Sequence, residues 1–232
     1  MLSLTYIGHS AFYLSDGVHS VLVDPFITGN PVATVAAADF SPDTILLTHA
    51  HNDHLGDTVP IATRTGSHVI ALFEIANFLH AAGVERTTGG NMGGTIAFAG
   101  GTVKFTPAWH TSSYQDEHGV HAITPPAGLV VRFGGKTIYF AGDTCLFSDM
   151  KLIGEEGLDI AVIPIGDAFT MGPVDAQRAV GFLSPKLVIP CHFNTFPPIE
   201  QDAALFKRET EERTGVAVEP MKPGATLDVS GV

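Results

Sequence analysis

Apolar residues recur along the chain in short runs, most of them too short for anything but strands. Residues 2–7 form one run, Gly8-His9-Ser10 interrupts it, and 11–14 resume, so two strands with a break between them are expected. Ser15-Asp16-Gly17 marks a turn, and Ser20-Val21-Leu22-Val23-Asp24 is a third strand stopped by Pro25. The run from Thr44 to Thr48 reads as a strand buried on both faces. A helix is expected from about Asp53 to Thr63, a strand at 69–71, and a helix over 73–82 ending at Gly83.

The same theme returns in the second half. The glycine-rich residues 89–94 lack the Lys and Ser/Thr spacing of a phosphate-binding loop and read as a tight connection. Residues 95–99 and 102–106 read as a hairpin, and 111–127 as a long polar loop. Two strands, 128–133 and 136–141, flank Gly134-Gly135. A short helix from Ser148, a strand at 160–165, a helix over 173–183 with Pro173 at its start, a strand at 187–190 and a helix over 202–213 follow. Short strands at 216–218 and 226–229 end the chain. No linker, charge block or low-complexity segment divides it, so one domain over 1–232 is expected. The alternation implies a layered α/β fold: two sheets facing each other, with helices outside.

Polar residues break this pattern most sharply after the strand at 44–48. His49, His51, Asp53, His54 and Asp57 fall within nine residues. Packing does not call for such a cluster, and burying it without partners is costly. Imidazoles and carboxylates are common metal donors. On extended backbone His49 and His51 point to the same side, while Asp53 and His54, after a turn, can address a second point. Other apolar strands also end near a donor: 102–106 leads to His110, 136–141 to Asp143 and 187–190 to His192. Donors at strand ends can converge on one point. Seven nitrogen and oxygen ligands suit two ions.

His49-x-His51-x-Asp53-His54, His110, Gly142-Asp143-Thr144 and His192, in this order, resemble the metallo-β-lactamase superfamily. Gly8-His9-Ser10, Asp24-Pro25-Phe26, Phe169 to Pro173 and His192 to Pro197 are similar to signatures of its uncharacterised metal-dependent hydrolase branch, and more distantly to L-ascorbate-6-phosphate lactonase. The resemblance implies a four-layer αβ/βα sandwich with a dinuclear site between the sheet edges. It places His49, His51 and His110 on one metal, Asp53, His54 and His192 on the other, and Asp143 on both. Asp24 would support the donors from behind. The resemblance further implies a metal-dependent hydrolase acting through a bridging hydroxide on a small ester, lactone, thioester or phosphodiester, with Asp53 and Asp143 as catalytic residues. Zinc is the first choice, and manganese or iron would also fit. Redox di-iron relatives carry glutamate at the position of His51, which disfavours a non-haem di-iron redox protein. No insertion of the RNA-processing kind is present, which disfavours a phosphodiesterase acting on nucleic acid.

Around these donors, Thr48 and Asp57 could orient ligands. His9, Thr170, Met171, Asn194 and Thr195 are candidate substrate residues, with Phe169 and Phe196 as candidate walls. Trp109 and Cys145 read as packing residues, and His118 and His121 as solvated. Composition narrows the partners. Hydrophobic residues make up 45% of the 232 and charged ones 16%, enough for a sizeable core. A net charge of -12 with 12 Lys+Arg argues against nucleic acid and leaves a small molecule as the expected partner. The N-terminus has no basic, apolar leader, no run reaches about 18 apolar residues, and Cys145 and Cys191 form no disulfide framework. A cytoplasmic protein away from membranes is expected. A homo-oligomer is left open, since Val32, Val35 and Phe40 around Ala36 to Ala38 suit an interface or a short core helix.

Overall fold

The computed structural model describes residues 1–122 and 124–232 and arranges them around two seven-stranded sheets. In the first sheet β1 (Ser3–Gly8), β2 (Ala11–Ser15), β3 (Ser20–Val23), β4 (Thr44–Leu46), β5 (His68–Leu72) and β6 (Thr87–Gly90) are neighbours in chain order. Pairing is antiparallel up to β3 and parallel beyond it. The second sheet repeats this scheme. Its strands are β7 (Thr95–Phe98) and β8 (Gly101–Pro107) and, after a small hairpin of β9 (Ser113–Asp116) and β10 (Gly119–Ala122), β11 (Ala127–Phe133), β12 (Lys136–Phe140), β13 (Ile160–Pro164), β14 (Leu187–Cys191) and β15 (Ala217–Val218). Antiparallel pairing again gives way to parallel, here at β12. β16 (Thr226–Asp228) returns to pair with β1.

Side-chain alternation makes the layers. Leu129, Val131, Ile138, Phe140 and Val162 join Leu4, Phe12 and Ile45 of the first sheet in a core between the sheets. Helices α1 (Asn52–Leu55), α2 (Thr58–Thr65) and α3 (Phe73–Ala81) follow strands of the first sheet, and α2 and α3 contact β5. The intervening residues of the second sheet, Val130, Tyr139, Ala161 and Val188, pack outward with α4 (Met150–Gly154), α5 (Pro173–Leu183) and α6 (Ala203–Thr214). The result is the four-layer αβ/βα sandwich. No helix among the described residues is long and apolar enough to cross a membrane.

Several expectations need correction. The helix expected over 53–63 is two helices broken at Gly56, where φ is +43°. A Cβ there would lie 2.3 Å from the carbonyl oxygen of Pro25, so the break brings the segment after β3 against the donor loop. Asp57 completes that clamp by accepting from the Ile27 and Thr28 amides at 3.1 and 2.7 Å, so its carboxylate braces a turn rather than orienting a metal ligand. The glycine-rich connection begins as strand: Gly89 and Gly90 belong to β6. The loop expected over 111–127 contains the β9–β10 hairpin, whose Gln115 exchanges two hydrogen bonds with the Asn52 side chain at the start of α1. The alanine run forms one 3-10 turn, with Phe40 beside Tyr13.

Candidate metal centre

The ends of β3, β4, β8, β12 and β14 open onto one edge of the sandwich, and the polar residues following them gather there. Two donor clusters result. His49, His51, His110 and Asp143 have ligand atoms within 4.8 Å of one another, and so do His9, Asp53, His54 and His192. Asp143 lies between the clusters. Its Oδ2 is 3.2 Å from His192 Nε2, 3.5 Å from His110 Nε2 and 3.9 Å from His49 Nε2, and its Oδ1 is 3.2 Å from His54 Nε2. His49 Nε2 and His51 Nδ1 converge to 3.0 Å.

Local backbone explains the convergence. Gly142 has φ +61°, and a Cβ there would press on the Thr48 side chain at 2.9 Å. The Asp143 loop can therefore lie against the start of the His49 loop. Ala127 N–H donates to Thr48 O at 3.0 Å, and Trp109 N–H donates to Thr144 Oγ1 at 3.0 Å, which brings His110 beside Asp143. His9, Asp24 and His192 are all held at positive φ, and His192 N–H donates to His9 O at 2.8 Å, tying the two sheets together. Such backbone persists only where surrounding structure enforces it, and it gathers at functional sites.

Behind the donors lies Asp24, almost fully buried. Its Oδ1 accepts the Thr48 amide at 2.9 Å, and its Oδ2 accepts Thr48 Oγ1 at 2.6 Å and His54 Nδ1 at 2.8 Å. Thr48 Oγ1, committed as a donor to Asp24, accepts from His49 Nδ1 at 3.0 Å. One carboxylate thus orients an imidazole in each cluster and turns both Nε2 atoms toward Asp143.

Can these residues hold metal? Among the described residues, His54 Nε2 and Asp143 Oδ1, buried and 3.2 Å apart, make no well-directed hydrogen bond. A buried polar atom left so is costly, and a cation between the two would satisfy both. Charge states agree at four of the donors. Burial lowers the pKa of His49, His51 and His110, leaving them neutral, the form that ligates. Burial opposes ionisation of Asp143, but His192 and His54 outweigh it and hold its pKa well below the usual range. For His54, burial is overcome by the Asp143 and Asp24 carboxylates, and its pKa is raised. The donor set fits divalent cations.

His9 is fully buried. Its Nε2 lies 3.1 Å from Asp53 Oδ2 and its Nδ1 2.9 Å from Thr195 Oγ1. A carboxylate only accepts, so Nε2 carries the proton and Nδ1 accepts from Thr195. Burial pushes the His9 pKa down to about 4. Both ring nitrogens are occupied, so His9 and Thr195 are placed to hold Asp53 rather than to grip a substrate. Burial also opposes the Asp53 charge, but the hydrogen bond from His9 keeps its carboxyl well below the usual range.

A cavity of about 490 Å³ opens over the donors. His51, Asp53, His110, Asp143 and His192 reach its surface, whereas His49 and His54 lie behind. His9 lines it as well, but three other expected substrate residues do not. Met171 is buried in the outer core, Thr170 is beside it, and exposed Asn194 spends its side chain on the Gln201 backbone. Phe169 and Phe196 do line the cavity, joined by Thr111, Pro198 and Ile199, which the residue pattern did not single out. Trp109 is 66% exposed and Cys145 is exposed, so neither is the packing residue expected. His118 and His121 are solvent-facing, His121 pairing with Asp116.

Residues 3–192 match the model of the beta-lactamase superfamily domain. The chain is 49% identical over 227 residues to a UPF0173 metal-dependent hydrolase of Thermus thermophilus, covering 98% of this chain and 99% of that one. A Deinococcus radiodurans protein of the same description is 45% identical over 232 residues, with 99% and 100% covered. Among solved structures, a metallo hydrolase from the hyperthermophilic archaeon Ignicoccus hospitalis superposes with a TM-score of 0.89 at 36% identity and 97% coverage of each chain. The chain therefore belongs to the metallo-β-lactamase superfamily, as a metal-dependent hydrolase of the branch these relatives represent.

Proposed function

We propose that the centre holds two divalent cations, zinc first among them, and hydrolyses a small-molecule ester, lactone, thioester or phosphodiester. His49, His51 and His110 would hold one cation, Asp53, His54 and His192 the other, and Asp143 both. The observation that carries this reading is Asp143 itself, a buried carboxylate approached by imidazoles of both clusters, with Oδ1 3.2 Å from His54 Nε2 and Oδ2 3.2 Å from His192 Nε2. Bound divalent cations supply Lewis acidity and a water made nucleophilic near neutral pH.

The protein's own residues do the rest. Asp24 fixes the His49 and His54 rings, so the donors need not reorganise. His9 fixes Asp53 through Oδ2 and keeps this partly exposed carboxylate ionised and oriented as a donor. The cavity is of a size for a metabolite. Metal content of the wild type and Asp143→Ala, measured beside turnover of ester, thioester, lactone and phosphodiester reporters with and without chelator, tests the reading. Metal and turnover should fall together in the variant. Full metal content in Asp143→Ala would remove the assignment.

A further inference from the structure

Away from the donors the cavity wall is apolar. Phe196, Pro198 and Ile199 come from the turn after His192, and Phe169 from the turn after β13. Phe169 is 59% exposed and Phe196 36%, so neither is there to fill a core. Both turns are nevertheless braced. Asp167 and Ala168 are held at positive φ, Thr170 N–H donates to Asp167 O at 3.0 Å, and Met171 N–H donates to Thr144 O at 3.0 Å, next to Asp143. In the other turn Asn194 N–H donates to Ile199 O at 2.9 Å. Gln201 Nε2 donates to Gly166 O at 3.1 Å and links the two turns. The Phe196 ring also lies 5.7 Å from that of His9, so the wall continues to the support of Asp53. A preformed apolar surface beside reactive donors is what a ligand's apolar group needs, because little ordering remains to be done on binding.

Charge points the same way. Among the described residues, none of the 12 Lys and Arg lines the cavity. Asp53 and Asp143 do line it, Asp24 lies behind, and these carboxylates offset most of the charge two divalent cations would bring. Beyond the cations themselves, an anionic group would find no guanidinium or ammonium to receive it, and it would be desolvated against phenyl rings.

Resting on the hydrolase reading above, we infer that the substrate is an uncharged carboxylic ester, open or cyclic, whose apolar group lies along the Phe169, Phe196, Pro198 and Ile199 wall. Hydrolysis joins the oxygen of water to the acyl carbon, breaks the acyl C–O bond and leaves a proton on the alcohol oxygen. It needs no redox partner.

The test compares p-nitrophenyl acetate, butyrate and hexanoate with bis(p-nitrophenyl) phosphate on protein of verified metal content. kcat/KM should climb with acyl length, by up to about fourfold for each methylene buried, and the phosphodiester should be the poorer substrate. Phe169→Lys, at an exposed position that folding does not need, should flatten the climb and move the ester-to-phosphodiester ratio toward the phosphodiester. In metal-free protein, hexanamide should bind more tightly than acetamide and perturb the Phe169 and Phe196 NMR signals. A flat acyl series, chelator-sensitive preference for the phosphodiester, or absence of a chain-length effect in the amide titration would overturn the inference and leave the hydrolase reading standing. Turnover of no reporter of any class by metal-loaded protein would sink both.

Discussion

The cluster of His49, His51 and His110 consists of imidazoles whose pKa values all lie below the usual range, with burial as the main cause. The cluster of Asp53, His54 and His192 contains an imidazole pushed the other way, because His54 faces both Asp24 and Asp143. The first cluster is therefore ready to accept a cation as it stands, whereas the second must first give up a proton. Their supports differ as well. His49 reaches Asp24 only through Thr48, whereas His54 reaches it directly and Asp53 has a private brace in His9. Similar residue types at similar burial thus become different sites, because of where two carboxylates point.

The comparison breaks most visibly if single donors are removed. His110→Ala should empty the first cluster alone and His192→Ala the second alone, so each variant should retain about half the metal of the wild type. Turnover should fall by more than the roughly 10–100-fold expected for loss of a supporting partner. Metal analysis beside a reporter assay checks this, and loss of all metal in either variant would mean that the clusters are not separable. Asp24→Asn, which keeps a residue tolerant of positive φ, should weaken both clusters by roughly 10–100-fold in metal affinity. An effect confined to one cluster would contradict its double role.

Titration sharpens the comparison. A raised pKa means that the metal competes with a proton on His54 up to a higher pH than at an ordinary imidazole. Affinity at the second cluster should then rise by about tenfold per pH unit across that range, with about one proton released. The lowered pKa values of the first cluster end such competition below neutrality, so its affinity should be level there. Calorimetry in buffers of different ionisation enthalpy reads the protons directly, and equal release at both clusters would contradict the assignment. The smallest effect is expected from Thr195→Val. It removes one hydrogen bond from His9 and should weaken the second cluster only a few-fold, leaving the first unchanged.

Much of this is legible in the chain, but unevenly. The first half carries four donors on one loop after β4, and such a burst stands out against an apolar strand. The second half supplies His110, Asp143 and His192 from the ends of three strands, and only the repeated placement at strand ends revealed them. Substrate-facing residues were harder. The turns after β13 and β14 were identifiable, but not which side chains they turn inward. Two successive residues at positive φ present Phe169 to the cavity while Met171 goes to the core. The β9–β10 hairpin is hidden because its strands are short and none of their described residues is buried, so little apolar alternation marks them. The break at Gly56 depends on the backbone of Pro25, far away in sequence.

The central claim is that two clusters share Asp143. Anomalous diffraction from crystals of the zinc-loaded protein tests it most directly. Two peaks are expected, one bounded by His49, His51 and His110 and the other by Asp53, His54 and His192, with the Asp143 carboxylate touching both. A single peak at full occupancy, or two peaks of which Asp143 touches only one, would contradict it.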